Sequence, residues 1–315
     1  MRSTLPGRRR YLLQGTIALL AGTGAWWTMR DPQTLHRFAG EHWPRTSALS
    51  APPAIALALG GGGPRGFAHV GVLKVLEREG VRPDFIIGSS MGALIGILYA
   101  ADPDARRIEH HALALDVSAW WRDLTLRRNP WLRGDALEAR LRDLLQRKTL
   151  ESLAIAAAAV STDLESGMPV AFTRGDAVTA IRASTAVPGT FKRVGIGNRE
   201  YVDGDLTAPV PVRLARELGA RTVIAVDVMC HPAEMVQDLR ETPDWMVSDY
   251  YRHALNLRDL PLADVVISPR LGLYAGFADE ERRRYIALGE QATMAALPAL
   301  RALMQKSIAT PARRS

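Results

Sequence analysis

The chain has one cysteine, Cys230, among 315 residues. That excludes an intrachain disulfide and any cysteine-based zinc site within one chain. Cys230 follows a β-rich run at 222–229, where a strand-end thiol without a function is the plain reading. The formal net charge is +7, but the excess lies at the two ends and the body of the chain has almost none. Residues 1–50 carry seven arginines against Asp31 and Glu41, and residues 301–315 add Arg301, Lys306, Arg313 and Arg314 with no acid. What lies between is close to neutral. No nucleic-acid partner is expected, because that needs basic residues gathered on one folded face. Long apolar runs are missing too. Residues 12–27 are moderately apolar but broken by Gln14, Gly15, Gly22 and Gly24, at the short end of the about 17–25 residues a membrane helix needs. No internal repeat is visible. With 47% hydrophobic residues the chain can bury a sizeable core, as one large α/β domain with a tail or as two small domains.

The first 30 residues read as an address. Gly7-Arg8-Arg9-Arg10-Tyr11-Leu12-Leu13 resembles a twin-arginine export signal, and the apolar stretch behind it suits a signal h-region. No A-x-A cleavage site stands nearby; Ala48-Leu49-Ser50 is a distant candidate. The expected location is the periplasm, or the inner membrane if the segment stays attached. A basic leader on a cytoplasmic protein is the alternative. Pro32, Pro44, Pro52 and Pro53 make 31–53 a linker. The folded domain is expected over 54–305, and 306–315 reads as a basic tail.

Two glycine-rich turns carry the chemistry. Asp84-Phe85-Ile86-Ile87 reads as a buried strand and 93–101 as an apolar helix, with Gly88-Ser89-Ser90-Met91-Gly92 between them. A G-x-S-x-G pattern between strand and helix is the context of a nucleophile elbow, which presents Ser90 on a sharp turn. Side chains at Gly88 or Gly92 would strike the neighbouring strand and helix. The helix points its positive end at the Ser90 hydroxyl.

One βα unit earlier, a strand at 55–59 runs into Gly60-Gly61-Gly62-Gly63-Pro64-Arg65-Gly66, and a helix follows over 67–79. Such a loop aims a row of backbone N–H groups at one point. A phosphate loop needs lysine and a hydroxyl after its last glycine, where Phe67-Ala68 stand instead. A dinucleotide fingerprint fits Gly61, Gly63 and Gly66, but the acid it wants, Asp84, precedes the second strand instead of ending it. The third use is an oxyanion hole serving Ser90. It alone explains why loop and elbow occupy consecutive βα units.

Residues 104–147 read as charged helix with an insert at 120–133 that interleaves Trp120, Trp121 and Trp131 with arginines. It suits a membrane interface, or tryptophans tucked into the core. His110 and His111 diverge on a helix and read as a solvated pair, not as metal ligands. Strands are expected at 155–162, 169–173, 199–202, 222–228 and 265–267, and helices over 177–184, capped by Asp176, over 233–258, and from about Asp279 towards Gln305. The strand at 199–202 delivers Asp203-Gly204-Asp205 to a loop. This alternation means an α/β fold with a mostly parallel central sheet and helices on both faces.

Four stretches in this order resemble one family. Gly61–Gly66 with Phe67-Ala68-His69-Val70-Gly71-Val72-Leu73 is similar to the oxyanion block of patatin-like phospholipases. Gly88-Ser89-Ser90-Met91-Gly92 resembles their elbow. Ala183-Ser184-Thr185-Ala186-Val187-Pro188-Gly189-Thr190-Phe191 resembles their A-S-x-A-x-P-x-x-F block, and Asp203-Gly204 their D-G-[GA] motif. The likeness spans roughly residues 54–230 and is strongest to the bacterial branch related to neuropathy target esterase. It implies a three-layer patatin-like fold and a Ser-Asp dyad, with Ser90 as nucleophile and Asp203 as general base. It implies oxyanion donors from the loop of Gly61, Gly62 and Gly63 with Arg65 and Gly66, and no metal or cofactor. It also implies acyl esters of phospholipids or lysophospholipids as substrate, met at a membrane surface. The chemistry stands on its own terms, since serine attacks once a base takes its proton and a desolvated carboxylate is basic enough to do so. Arg65 either steadies the loop or meets a substrate phosphate. The motif's third position is Asp205, whose extra carboxylate raises the pKa of one of the pair if it faces Asp203 and does nothing in solvent.

Two rival readings remain. A Ser-His-Asp hydrolase would draw on Ser90, on Asp203 or Asp227, and on His231 or His253, but Leu59 precedes the glycines where its H-G-G-G loop wants histidine. His69 reads as a helix-packing histidine. A membrane-docking protein with a dead hydrolase fold is the other rival, and the intact Ser90 and Asp203 argue against it.

Overall fold

The computed structural model describes residues 35–38, 49, 51–114, 134–230, 244–273 and 275–309. The leader at 1–30, the tryptophan insert at 120–133 and His231 lie outside the described residues. The strands are β1 Leu35–Phe38, β2 Ile55–Leu59, β3 Phe85–Ser89, β4 Ala156–Asp163, β5 Pro169–Phe172, β6 Arg193–Ile196, β7 Arg199–Asp203, β8 Thr222–Val226 and β9 Val265–Ile267. The helices are α1 Ala68–Arg78, α2 Met91–Ala101, α3 Ala105–Leu113, α4 Asp135–Leu145, α5 Ala177–Ser184, α6 Val212–Glu217, α7 Asp244–Asp259 and α8 Asp279–Ala309. Among the described residues none of these helices is long and apolar enough to cross a membrane.

One mixed sheet holds all nine strands in the order β1-β6-β7-β4-β3-β2-β8-β9, with β5 also on β4. Parallel pairs dominate: β1 with β6, β4 with β3, β3 with β2, β2 with β8 and β8 with β9. The central β2 reads Ile-Ala-Leu-Ala-Leu and is buried throughout, because a parallel strand under helices has no wet face. Its Ile55, Leu57 and Leu59 enter one core and Ala56 and Ala58 the other, as the two-residue side-chain period requires. The larger core receives residues from α1 to α5 and α8; the smaller receives α6 and the segment Leu260–Leu262 after α7. Helix, sheet and helix make three layers.

The arrangement of β4 sets up everything that follows. Its residues 156–160 pair in parallel with β3, ending at Val160 opposite Ser89. Its residues 161–163 pair with β7, running the other way and starting with Ser161 opposite Asp203. β5 pairs with residues 159–162 and so occupies the other edge along both segments. A strand has only two edges, so β3 and β7 share one and meet end to end there. The last residues of both strands abut neighbouring positions of β4.

The sequence leaves two strands unread. β6 is Arg-Val-Gly-Ile, short and interrupted by glycine, which weakens a strand signal. β1 lies within the stretch read as a linker and pairs in parallel with β6. The expected helix over 104–147 appears as α3 and α4 on either side of residues outside the description. α8 runs past Gln305 to Ala309, into the stretch read as a basic tail. Asp84 accepts from the amides of Ala54 and Ile55 at 2.8 Å each, tying the starts of β2 and β3. Asp176 caps α5 as expected, accepting from the Thr179 amide at 2.7 Å. Its replacement by alanine should cost about 1 kcal/mol of stability, read as a lower midpoint in urea unfolding.

Candidate active site

β3 ends in a turn that forces Ser90 to φ 52°, ψ −122°, a conformation a non-glycine residue adopts only under constraint. The elbow glycines allow the turn by absence of bulk. A Cβ on Gly88 would fall 2.3 Å from the Gly92 carbonyl carbon, and one on Gly92 would fall 2.2 Å from the Leu59 carbonyl oxygen. Ser90 also occupies the N-cap of α2, where a serine hydroxyl ordinarily accepts a bond from the first turn. Here it makes no such bond. The hydroxyl donates to Asp203 Oδ2 at 2.8 Å instead. The first turn of α2 thus gets no bond from the Ser90 side chain, and the positive helix end at Ser90 favours negative charge.

Asp203 arrives at the end of β7, opposite Ser161, and is 1% exposed. Its Oδ1 accepts from the Asp205 amide at 2.9 Å, which fixes the carboxylate plane. Its carbonyl accepts from the Thr162 hydroxyl at 2.8 Å, and its amide donates to Ala186 O. Burial raises the Asp203 carboxyl from 3.8 to about 6, although the Asp205 amide, the Ser90 hydroxyl and Arg252 each pull it down. Gly204 follows because a Cβ there would sit 2.3 Å from Val160 O. Ser184 bridges the elbow to the sheet: it accepts from the Ser90 amide at 3.0 Å and donates to Val160 O at 2.5 Å. Sequence reasoning placed Ser184 only in a motif block, because its closeness to the elbow, 94 residues away in the chain, comes from the packing of α5 beside β4.

The glycine loop lies beside this pair. The Gly60 amide donates to Val226 O and the Gly61 amide to Pro209 O, each at 2.9 Å. Gly61, expected among the oxyanion donors, is therefore committed to the backbone. The amides of Gly62 and Gly63 have no acceptor among the described residues. Gly66 leaves room for the Met91 side chain, whose Cγ would lie 2.2 Å from an added Cβ. Arg65 is buried, with Nη2 donating to Leu273 O at 2.8 Å and to Asp249 Oδ2 at 3.3 Å. Those bonds steady the loop. His69 is fully buried behind it, 2.6 Å from Gly60 O through Nε2, and burial lowers its pKa to about 4. It is a neutral packing histidine.

No histidine bonds to Ser90 or Asp203 among the described residues, and Asp227 accepts from the Met229 amide and Asn256 instead. Nor do the described residues include a group of three His, Cys, Asp or Glu side chains that could hold a metal ion. An apolar cavity opens beside the elbow, lined by Phe67, Met91, Leu94, Ile95, Leu98 and Leu141.

The family model of the patatin-like phospholipases matches residues 57–216, half of the chain. The chain belongs to the patatin-like phospholipase family. Among relatives of this patatin-like chain, an uncharacterised NTE family protein of Mycobacterium tuberculosis is 35% identical over 201 residues, covering 62% of this chain and 56% of the relative. The human patatin-like phospholipase domain-containing protein 6 is 32% identical over 221 residues, 63% of this chain and 16% of its own length. Lysophospholipase NTE1 of Debaryomyces hansenii is 32% identical over 189 residues, 58% and 12% of the two chains. The alignment with the mycobacterial relative thus takes in about half of that protein. The crystal structure of VipD from Legionella pneumophila shares the fold, with a TM-score of 0.50 at 13% identity, covering 83% of this chain and 72% of VipD. Against the patatin-like D-G-[GA] motif, Asp205 is the departure. It does not reach solvent: it is 2% exposed, and its carboxylate faces Gly61.

Proposed function

We propose that the protein is a serine lipid acyl hydrolase that cleaves acyl esters of phospholipids or lysophospholipids through Ser90 and Asp203. The observation that carries this is the 2.8 Å hydrogen bond from the Ser90 hydroxyl to the buried Asp203 carboxylate. Asp203 takes the hydroxyl proton as Ser90 Oγ bonds to the ester carbonyl carbon. The carbonyl oxygen becomes an oxyanion facing the amides of Gly62 and Gly63, a kind of contact worth about 10²–10³ in rate for each donor. The tetrahedral intermediate collapses, the C–O bond to the alcohol breaks, and Asp203 returns its proton to the leaving oxygen. Water then repeats the sequence on the acyl-serine and releases the fatty acid. The cavity beside Met91 takes the start of the acyl chain. Family membership supports a lipid substrate and the apolar lining agrees with it.

We place the protein in the periplasm or on the inner membrane, with the arginine-led leader as the basis; a cytoplasmic location is the alternative. Membrane-surface contact through the tryptophan insert belongs to the same proposal.

Fluorophosphonate labelling tests the site. Wild type should label, Ser90→Ala should not, and His253→Ala should label at near wild-type rate. Labelling of Ser90→Ala as strong as wild type would remove Ser90 from the reading, and loss in His253→Ala would favour a triad. Lipid products from purified wild type against Ser90→Ala then identify the ester cleaved.

A further inference from the structure

Behind the Ser90–Asp203 pair, three buried carboxylates share two guanidinium groups. Asp203, Asp205 and Asp249 are 1%, 2% and 4% exposed. Asp249 divides its charge, with Oδ2 3.3 Å from Arg65 Nη2 and Oδ1 3.1 Å from Arg252 Nη1. Arg252 Nε is 3.9 Å from Asp205 Oδ2, too far for a hydrogen bond. Asp205 Oδ1 has no hydrogen-bond partner among the described residues, and neither does Arg252 Nε. Three buried carboxylates against two guanidinium groups leave one negative charge uncompensated, and Asp227 nearby adds to the excess. Such a site keeps a proton in preference to a lone buried charge.

We propose that Asp205 is a positioning residue that shares one proton with Asp203, so that the base beside Ser90 works as half of a buried carboxylate pair. The proposal rests on the Ser90–Asp203 reading of the site. The two residues are held side by side, since the backbone amide of Asp205 donates to Asp203 Oδ1 at 2.9 Å. Around Asp205 stand Asp203 at the end of β7, Arg252 and Asp249 on α7, Asp227 after β8, and the glycine loop with Arg65. His69 faces the same loop uncharged. Burial first, then the charge of Asp203, push the Asp205 carboxyl well above its ordinary range. A Cβ on Gly61 would fall 1.6 Å from Asp205 Oδ1, so the glycine loop is moulded around this carboxylate. The site therefore reaches its fully charged state in two steps that belong to the pair.

Two measurements test this. The first is urea unfolding of wild type and Asp205→Asn from pH 4, near the ordinary carboxylate pKa, up to pH 8.5. A proton kept by the folded chain and released on unfolding weakens folding by up to tenfold per pH unit. Wild type should lose stability across this range and Asp205→Asn should lose markedly less; parallel curves would overturn the proposal. Asp205→Ala replaces the asparagine variant if that fails to fold. The second is the pH dependence of fluorophosphonate inactivation, which reports Ser90 without any lipid. Wild type should show two inflections and Asp205→Asn one. Superimposable profiles, scaled by a constant, would make Asp205 merely structural. Absence of wild-type labelling would sink the hydrolase reading, while the unfolding curves would still decide the proton.

Discussion

Asp203→Asn should lower ester hydrolysis by about 10²–10⁴-fold, the range a positioned general base supplies, while making the folded protein more stable at neutral pH. Both halves follow from one carboxylate. An amide accepts the Asp205 N–H bond but cannot take the Ser90 proton. The stability half is a matter of sign. The folded-state pKa of Asp203 is raised from 3.8 to about 6 by burial, so the native state holds its proton more tightly than the unfolded chain does. Below about pH 4 both states are protonated and the substitution changes little. Between about pH 4 and 6 wild type progressively loses stability that the neutral variant keeps. Above that the part of the gap due to Asp203 itself levels off at about 3 kcal/mol at most, from some two pKa units at 1.36 kcal/mol each. Urea midpoints at pH 4 and pH 7.5 read the difference. Wild-type activity should fall on the acid side of pH 6, where Asp203 no longer accepts a proton. Equal midpoints for variant and wild type at pH 7.5 would mean that the carboxylate is not held at a cost.

Gly92→Ala should destabilise the fold by 3 kcal/mol or more, at the upper end of overpacking costs. The added methyl would lie 2.2 Å from Leu59 O and 2.7 Å from Gly60 O, and both are backbone atoms that cannot rotate aside. Relief would require α2 to move away from the end of β2, which carries the glycine loop. Serine labelling should disappear together with stability. An exposed helical glycine replaced by alanine would ordinarily gain stability, so the expected sign is opposite to the propensity argument. Retention of the wild-type urea midpoint would show that the helix and loop are not so closely packed.

Much of the site was readable because its chemistry restricts residue type. Ser90, Gly88 and Gly92 stand where only a hydroxyl and two hydrogens will serve, and a strand and a helix flank them in the sequence. Asp203 was readable from the motif around it. The division of labour within the glycine loop was not, because the Gly61 amide is taken by Pro209, a partner only the folded sheet supplies. The direction of Asp205 was equally hidden. It depends on the single turn of 3-10 helix at Gly204–Leu206, which turns the side chain inward towards Gly61 and Arg252. The parallel core strands announced themselves as short apolar runs, whereas β6 and β1 carry too few apolar residues in sequence to stand out. β5 follows β4 through the short turn at 163–167, which forces an antiparallel pair, whereas β7 was legible as a strand but its pairing with β4 was not, since nothing local distinguishes one distant partner from another.

The end-to-end meeting of β3 and β7 has a consequence during synthesis. The serine and its carboxylate are 113 residues apart in the chain, so a polypeptide still on the ribosome can fold its elbow long before any base exists to arm it. On the proposed mechanism, reactivity is then withheld until β7 slots in. Truncations ending before Arg199 should resist the phosphonate probe, and those extended through β8, β9 and α8, which complete the sheet and brace the glycine loop, should accept it.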